Sequence, residues 1–555
     1  MKTCAIIGQD DRRMEDYALG GPDQKCSGKL GQRLRTDHAA GSAGRVIARR
    51  SLIALSLAFA LSFFALAAAR LGSPAPLEWV EVALSDHVTR VLRGEPVYVA
   101  PSIEFVPCIY TPLYYYVCAL ASKTMGVAGF LPLRLVSLLS TTGVVILVAR
   151  GVQRETRSRL SAIVASGLFL ASYGLVDFWL DLGRVDALFL VLLSACLYLL
   201  RFSRSRTGAV VAALLGTLAI QSKQAALVAL MPVVLHQLLS ARGRGRWFVG
   251  VLVSTSVAAV AVFARDGWYW YYVFELPARH PFATGRIVMF WLFDFVPWFA
   301  PSLVLVVWTR RLPRLRFSPD EQQSRRFWTV AGAGLVATAW VSWFHAGAAR
   351  NVFLPACLAA SVMAGFTLAA FRRRARELPA AVASSRETFG YGCLVAQFAL
   401  LLYNPADALP RKEPIAAGVA TVITGDADVW LPAHGHLDTR PGHISHAHWA
   451  PVMDVLEADD APGSMELRRA FAAAVDASKF DAIVLPQRSA LVDALCIGER
   501  LQARYEWRSL TALNGKAGEE DIGVWTVLAT SRVPSDLSDF TAAAPRLAPC
   551  SSARH

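Results

Sequence analysis

Charged side chains are scarce in this chain of 555 residues. Asp, Glu, Lys and Arg together make up 18% of it, against roughly a quarter in an average soluble domain. A disordered chain needs high charge and low hydrophobicity, so that class is excluded. The nine cysteines are too sparse for a disulfide scaffold, and they form no Cys-x-x-Cys pair. The sequence also contains no internal repeat and no glycine-rich nucleotide-binding loop.

Apolar residues, by contrast, are in surplus. Hydrophobic residues make up 54% of the chain, and the mean hydropathy is +0.40. A single soluble core cannot bury so many, so lipid is the surface they are expected to face.

The excess of basic over acidic residues lies wholly in the hydrophobic part of the chain. The net charge is 56 − 42 = +14; residues 1–403 contribute 42 − 22 = +20 and residues 404–555 contribute 14 − 20 = −6. The basic residues stand in short clusters between apolar runs, as in the cytoplasmic loops of membrane proteins. This distribution argues against nucleic-acid binding.

The alternation of these clusters predicts a polytopic topology. Basic clusters fall at every second junction between apolar runs, which places the N-terminus in the cytoplasm and the chain after residue 403 outside. The fold class expected is mainly α, a transmembrane helix bundle followed by an extracytoplasmic α/β domain. About eleven spans are predicted, at 51–71, 131–149, 160–178, 187–200, 208–222, 225–240, 247–264, 288–308, 327–345, 351–371 and 388–403.

Four regions follow from this pattern. They are a disordered cytoplasmic leader (1–44), a transmembrane module (45–403), an α/β domain (404–534) and a loose tail (535–555). Within the α/β domain the pattern predicts strands at 419–424 and 481–486 and helices at 465–477 and 491–505.

The first outer loop, residues 72–130, is long and rich in proline and acids. Its segment Leu113–Met125 is too short to span and is expected to form a helix along the membrane surface. Acids beside aromatic rings such as Tyr110 can bind and deprotonate a polyhydroxylated acceptor. Each acid alone is more simply a solvated helix face, but the loop as a whole favours function. Its acids are Glu78, Glu81, Asp86, Glu95 and Glu104.

Ionisable residues also mark other outer junctions. Asp181, Arg184 and Asp186 enter the fourth span, where charges usually face a wet cavity, although these three could simply pair and hold two helices together. Lys223 lies between two apolar runs and could hold a lipid phosphate or extend to the interface at a helix end. Arg350 lies at a further outer junction and could line the same cavity.

Five of the eleven histidines fall within fifteen positions. Such a cluster could bind a metal ion, but no cysteine accompanies it and the composition is typical of a loop, so no metal site is predicted. They are His434, His436, His443, His446 and His448.

Several motifs, in their order, resemble the GT-C superfamily of polytopic glycosyltransferases, which includes bacterial aminoarabinose transferases and protein O-mannosyltransferases. The similarity covers roughly residues 51–370. The motifs are GEPVY (94–98), FVPCIYTPLYYY (105–116), Arg134 at the start of a span, DLGRVDALF (181–189) and the Lys-Gln pair at 223–224.

The resemblance implies a bacterial inner-membrane enzyme that moves a sugar from a polyprenyl-phosphate donor to an acceptor outside the cytoplasm, with inversion. The catalytic base would be Glu81 or Asp86. The family's Asp-Glu pair is missing here, so Glu78 also stays open as the base. Asp186 and Lys223 match residues expected near the lipid phosphate.

The remaining expectations concern ligands and alternatives. Tyr110, Asp181, Arg184 and Arg350 are expected to bind substrate. A divalent cation, Mg²⁺ or Mn²⁺, could assist, but no certain cofactor is predicted. The acceptor could be a lipid, a glycan or a protein. The alternative functions are a transporter or lipid flippase and a non-catalytic envelope assembly protein; a transporter would be expected to show half-to-half similarity, which the sequence lacks.

Overall fold

The structure is a computed structural model, and its helices account for most of the chain that it describes. Residues 1–22 of the predicted leader and the tail 535–555 lie outside the described residues. Helix α1 begins at Asp23, within the predicted leader. The described residues are 23–240, 243–265, 267–312, 317–410, 419–420, 422–423, 425–440, 446–458, 463–486, 489–509 and 522–527.

Thirteen labelled helices make up the N-terminal module. They are α1 (Asp23–Leu71), α2 (Val80–Leu92), α3 (Leu113–Met125), α4 (Phe130–Thr156), α5 (Arg159–Ala171), α6 (Val185–Phe202), α7 (Arg206–Ser222), α8 (Ala226–Ser240), α9 (Arg244–Phe263), α10 (Arg286–Arg310), α11 (Pro319–Trp343), α12 (Leu354–Ala375) and α13 (Ala380–Leu400). Short helical turns, with a π turn at Tyr271–Glu275, lie between α9 and α10.

Among the described residues, six helices are long and apolar enough to cross a membrane. They are Gly44–Leu71, Phe130–Thr156, Val185–Phe202, Arg244–Phe263, Arg286–Arg310 and Arg350–Ala375. The other five predicted spans coincide with helices α5, α7, α8, α11 and α13, so the helical bundle is confirmed. The number of eleven crossings stays a prediction.

Helix α5 ends earlier than the predicted span 160–178. Ser158 caps its start by accepting a hydrogen bond from the Ser161 amide at 3.2 Å, and the helix stops at Ala171. Its 13 residues cover about 20 Å, less than the hydrocarbon thickness. Residues 172–184 continue as turns, with positive φ at Asp177 and Phe178. Irregular backbone is tolerated at membrane depth where protein buries it, and this turn carries Asp181 and Arg184.

The C-terminal domain is a four-stranded sheet with short helices. The strands are β1 (Val429–Trp430), β2 (Ala482–Pro486), β3 (Tyr505–Ser509) and β4 (Ile522–Val527), in the order β1-β2-β4-β3. Strands β1 and β2 are parallel, and the other pairs are antiparallel. The helices are α14 (Trp449–Glu457), α15 (Ser464–Asp476), α16 (Ala490–Leu495) and α17 (Gly498–Arg504).

The strand predicted at 419–424 is wrong. Residues 419, 420 and 422 are helical, and the first strand lies at Val429–Trp430 instead. A short apolar run fits a buried helix turn as well as a buried strand, and periodicity alone cannot separate them. The helix predicted at 491–505 is divided at Cys496, whose positive φ of 56° ends α16.

The first outer loop and the C-terminal domain share one apolar core. Ala83 and Leu84 of α2 and Tyr115 of α3 belong to the same buried cluster as Val452 and Phe471 of the domain. At its edge the rings of Trp79 and Trp449 lie 4.8 Å apart. The domain therefore fixes the loop that carries the predicted catalytic acids.

Candidate active site

Asp181 is held in the turn between α5 and α6. Its carboxylate accepts a hydrogen bond from the Tyr173 hydroxyl at 2.7 Å and forms an ion pair with Arg70 at 3.2 Å. Both charged side chains are buried. A buried charge needs a partner at close range, and here α1 supplies it. These contacts tie the turn to α1 and leave Asp181 engaged with protein groups.

Asp186 and Lys223 are brought together from two helix ends. The Lys223 ammonium donates to Asp186 Oδ1 at 2.6 Å, and the Asn351 amide donates to both carboxylate oxygens at 3.2 Å. Asp186 lies in the first turn of α6, while Lys223 ends α7. The Lys223 side chain is 13% exposed, whereas that of Asp186 is 3% exposed.

Glu78, Tyr110 and Arg184 form a second group beside this pair. The Arg184 guanidinium donates to Glu78 Oε2 at 3.0 Å and to the Tyr110 hydroxyl at 2.7 Å, and it lies 4.6 Å from the centre of the Trp179 ring. Glu78 Oε2 also accepts from the Val80 amide, whereas Oε1 is buried and accepts no hydrogen bond. Burial raises the pKa of the Glu78 carboxyl, and Arg184 opposes that rise.

Glu81 lies three residues further on and has a different environment. Each of its oxygens accepts two hydrogen bonds: Oε1 from Arg134 Nε (3.2 Å) and the Gly183 amide (2.6 Å), Oε2 from Arg134 Nη2 and the Leu77 amide (both 2.8 Å). The side chain is fully buried. A Cβ at Gly183 would lie 3.0 Å from Leu133 Cβ and 3.1 Å from Glu81 Oε1, so a larger residue there would have to displace these neighbours by a few tenths of an ångström. The Glu81 carboxylate thus joins the loop, α4 and the 172–184 turn.

Asp86 lines a cavity that neither Glu78 nor Glu81 lines. This cavity of about 520 Å³ lies between α2 and the C-terminal domain. His436, His446 and His448 line the same cavity, while His443 lies outside the described residues. Among the residues that the structure covers, no group of three His, Cys, Asp or Glu side chains is placed to hold a metal ion.

Arg350 is adjacent in sequence to Asn351, which contacts Asp186, but it pairs with Asp177. Its guanidinium forms an ion pair with Asp177 at 3.6 Å, and both side chains are about half exposed. Its neighbour Asn351, rather than Arg350, contacts Asp186.

Two residues of the site, Gln224 and Asp454, were not identified from the sequence. Gln224 donates to the Ile109 carbonyl at 2.8 Å, which fixes the loop carrying Tyr110. The Lys-Gln pair at 223–224 was the available indication for Gln224. Asp454 belongs to the C-terminal domain. Burial raises the pKa of its carboxyl to about 6, and His280 and Arg184 oppose the rise.

The buried imidazole of His87 makes the loop sensitive to acid. Its Nε2 accepts from the Cys108 amide at 2.9 Å, which requires the neutral ring, and burial lowers its pKa to about 4. The unfolded chain, with an ordinary pKa near 6.5, takes up protons first. The stability from this group is therefore complete above pH 6.5 and is lost as the pH falls through 4. We expect a loss of about 2 kcal/mol between pH 7 and pH 5.

Unfolding midpoints of the purified protein between pH 7 and pH 5 would check this. A His87→Gln variant should show a flatter dependence on pH than the parent chain, since glutamine does not titrate. Equal slopes in the two proteins would contradict the assignment.

Comparison with known proteins shows similarity only at the level of structure. No protein-family model matches the chain, and no curated protein sequence matches it. Among solved structures, ArnT from Cupriavidus metallidurans bound to undecaprenyl phosphate superposes with a TM-score of 0.51 at 12% identity, over 86% of this chain and 98% of that one. The apo state of the same protein gives a TM-score of 0.51 at 13% identity, over 85% and 97%. ArnT is an aminoarabinose transferase with a GT-C fold.

Proposed function

We propose that this chain, whose fold is GT-C-like, is a membrane glycosyltransferase that moves a sugar from a polyprenyl-phosphate donor to an extracytoplasmic acceptor with inversion. The observation that carries the proposal is the buried Oε1 of Glu78, which accepts no hydrogen bond, in a group of charges where Arg184 pairs with Glu78 and Lys223 pairs with Asp186. A transferase of this kind needs an oxygen that can accept a proton and a cation that can meet the leaving phosphate.

In the proposed reaction the acceptor hydroxyl attacks the anomeric carbon as the bond from that carbon to the phosphate oxygen breaks. The hydroxyl proton passes to Glu78, and the lipid phosphate leaves with the electron pair of the broken bond. Lys223 and Arg184 offset the negative charge on the departing phosphate. No step of this scheme uses a divalent cation.

Glu78 is assigned the base role in place of Glu81 and Asp86. A base must have a lone pair free to accept the proton, and the four hydrogen bonds to Glu81 occupy its oxygens. The raised pKa of Glu78 also makes it a stronger base than an ordinary carboxylate. In this proposal Glu81 positions the loop, and Asp86 belongs to the cavity between α2 and the C-terminal domain.

Binding of the donor phosphate by Lys223 can be tested directly. We expect Lys223→Met to lower transfer from a polyprenyl-phosphate sugar by about 10²–10³-fold, because the leaving phosphate loses its point charge. Lys123→Met is the matched control, since Lys123 is exposed on α3. The assay follows labelled sugar leaving the lipid in purified, detergent-solubilised protein.

Lys223→Met also leaves Asp186 without its cation, so a double variant, Asp186→Asn with Lys223→Met, separates folding from chemistry. It should fold like the parent chain and still transfer poorly. If the double variant transfers at the parent rate, the assignment of Lys223 is wrong. If the unmodified protein moves no sugar from any polyprenyl-phosphate donor, the proposed reaction is wrong, and the transporter alternative gains support.

A further inference from the structure

A crevice rich in arginine lies at the opposite end of the bundle from the candidate active site. A cavity of about 850 Å³ adjoins one of about 280 Å³, and the two share Glu155, Glu321 and Arg373 in their walls. Together they are lined by eight arginines and three acids, 8 − 3 = +5. The arginines of this basic crevice are Arg154, Arg157, Arg201, Arg204, Arg310, Arg325, Arg373 and Arg374.

The acids of the basic crevice are already committed to holding two of its arginines. Glu155 pairs with Arg201, with an Nη2–Oε2 distance of 3.2 Å, and also accepts from the Trp328 indole at 2.8 Å. Glu321 pairs with Arg373 at 2.8 Å. Six arginines remain, and among the described residues no acid forms an ion pair with three of them, Arg157, Arg204 and Arg310. Positive charge is thus left facing the crevice.

The walls change from charged to apolar toward the middle of the bundle. Phe317, Trp328, Met363 and Phe366 line the smaller cavity together with its arginines. Trp328 and Met363 also border a further apolar pocket, whose walls include Leu147, Leu197, Tyr198 and Val362. Such apolar walls offer no favourable contact to a free phosphate ion, whereas an acyl chain can pack against them.

The basic crevice is separate from the candidate active site. Asp186 lies in the first turn of α6 and Arg201 in its last. Fifteen residues at 1.5 Å each place them about 22 Å apart along the helix axis. The arginine clusters are also those that the positive-inside rule assigns to the cytoplasmic face.

We propose that the basic crevice binds the phosphate of an anionic phospholipid of the surrounding membrane, with an acyl chain against the apolar walls. Arginine forks match phosphate oxygens, and basic pockets between membrane helices favour anionic head groups. Lipid binding in this crevice does not depend on the proposed sugar transfer.

The test compares lipid binding by the full-length chain and two charge-matched triple variants. The first replaces Arg157, Arg204 and Arg310 by glutamine; the control replaces Arg49, Arg50 and Arg246, which are exposed on α1 and α9. Phosphatidylglycerol and phosphatidylcholine are titrated into detergent-purified protein, and bound lipid is counted by native mass spectrometry. We expect the parent and the control to bind phosphatidylglycerol at least tenfold more tightly than phosphatidylcholine. The crevice variant should lose this preference while its unfolding midpoint stays near that of the control.

Three results would overturn the proposal. One is an unchanged preference in the crevice variant. Another is displacement of phosphatidylglycerol by an equal concentration of inorganic phosphate, which would identify a soluble-anion site. The third is binding of a polyprenyl phosphate in the crevice to the exclusion of phosphatidylglycerol, which would identify a site for the sugar carrier.

Discussion

Glu78→Gln is expected to lower sugar transfer by about 10²–10⁴-fold, the range that a positioned general base contributes. Glutamine keeps the shape of the side chain and can still accept from Arg184 and the Val80 amide, the two contacts that orient Glu78. Its amide nitrogen, which would replace Oε1, cannot accept the proton of the acceptor hydroxyl. The measurement is single-turnover transfer from a polyprenyl-phosphate sugar, together with donor affinity.

The loss should appear in the rate of the chemical step and leave donor affinity within a few-fold of the parent value. Glu104→Gln is the matched control, since Glu104 is an exposed acid of the same loop that pairs with Lys479. A Glu78→Gln enzyme that retains the parent rate would show that another group takes the proton.

Glu81→Gln is expected to act on stability rather than on chemistry. Removing one partner of a buried ion pair leaves the other charge uncompensated, at a cost of about 3–5 kcal/mol. Arg134 would be that charge, since its side chain is 1% exposed and Glu81 is its only acidic partner among the described residues. The unfolding midpoint of the purified protein should fall accordingly, and folded variant molecules should transfer with a nearly unchanged rate constant.

A double variant, Glu81→Gln with Arg134→Met, removes both charges and should recover part of the lost stability. Asp476→Asn is the control for an exposed pair; its partner is Arg500, and the loss should stay below about 1 kcal/mol. If Glu81→Gln folds normally but abolishes transfer, the base is Glu81, and the assignment to Glu78 is wrong.

Much of the architecture was predictable because lipid constrains sequence strongly. Each predicted span coincides with a helix, since a run of about twenty apolar residues must satisfy its own backbone hydrogen bonds. The prediction that Asp186 and Lys223 belong to one site also rests on topology, because both were expected at the outer ends of neighbouring spans. The structure places them 2.6 Å apart.

The C-terminal domain was harder to predict, because a domain without long apolar runs lacks that constraint. The apolar run at 419–424 has no length or period that separates strand from helix, and the described residues 419, 420 and 422 are helical. The core that this domain shares with α2 joins residues more than three hundred positions apart, and nothing in the local sequence indicates such a contact.

The sequence by itself determined the membrane bundle and the acid-rich first outer loop, because hydropathy and charge act over whole segments. Only the tertiary structure decided which acid of that loop is free. Glu78 and Glu81 stand three residues apart and have the same chemistry. Arg134 and the Gly183 amide donate hydrogen bonds to Glu81, whereas Arg184 donates only to Oε2 of Glu78 and leaves Oε1 without a hydrogen bond. Those partners come from distant parts of the chain, and the environment of a carboxylate is set by what surrounds it in space.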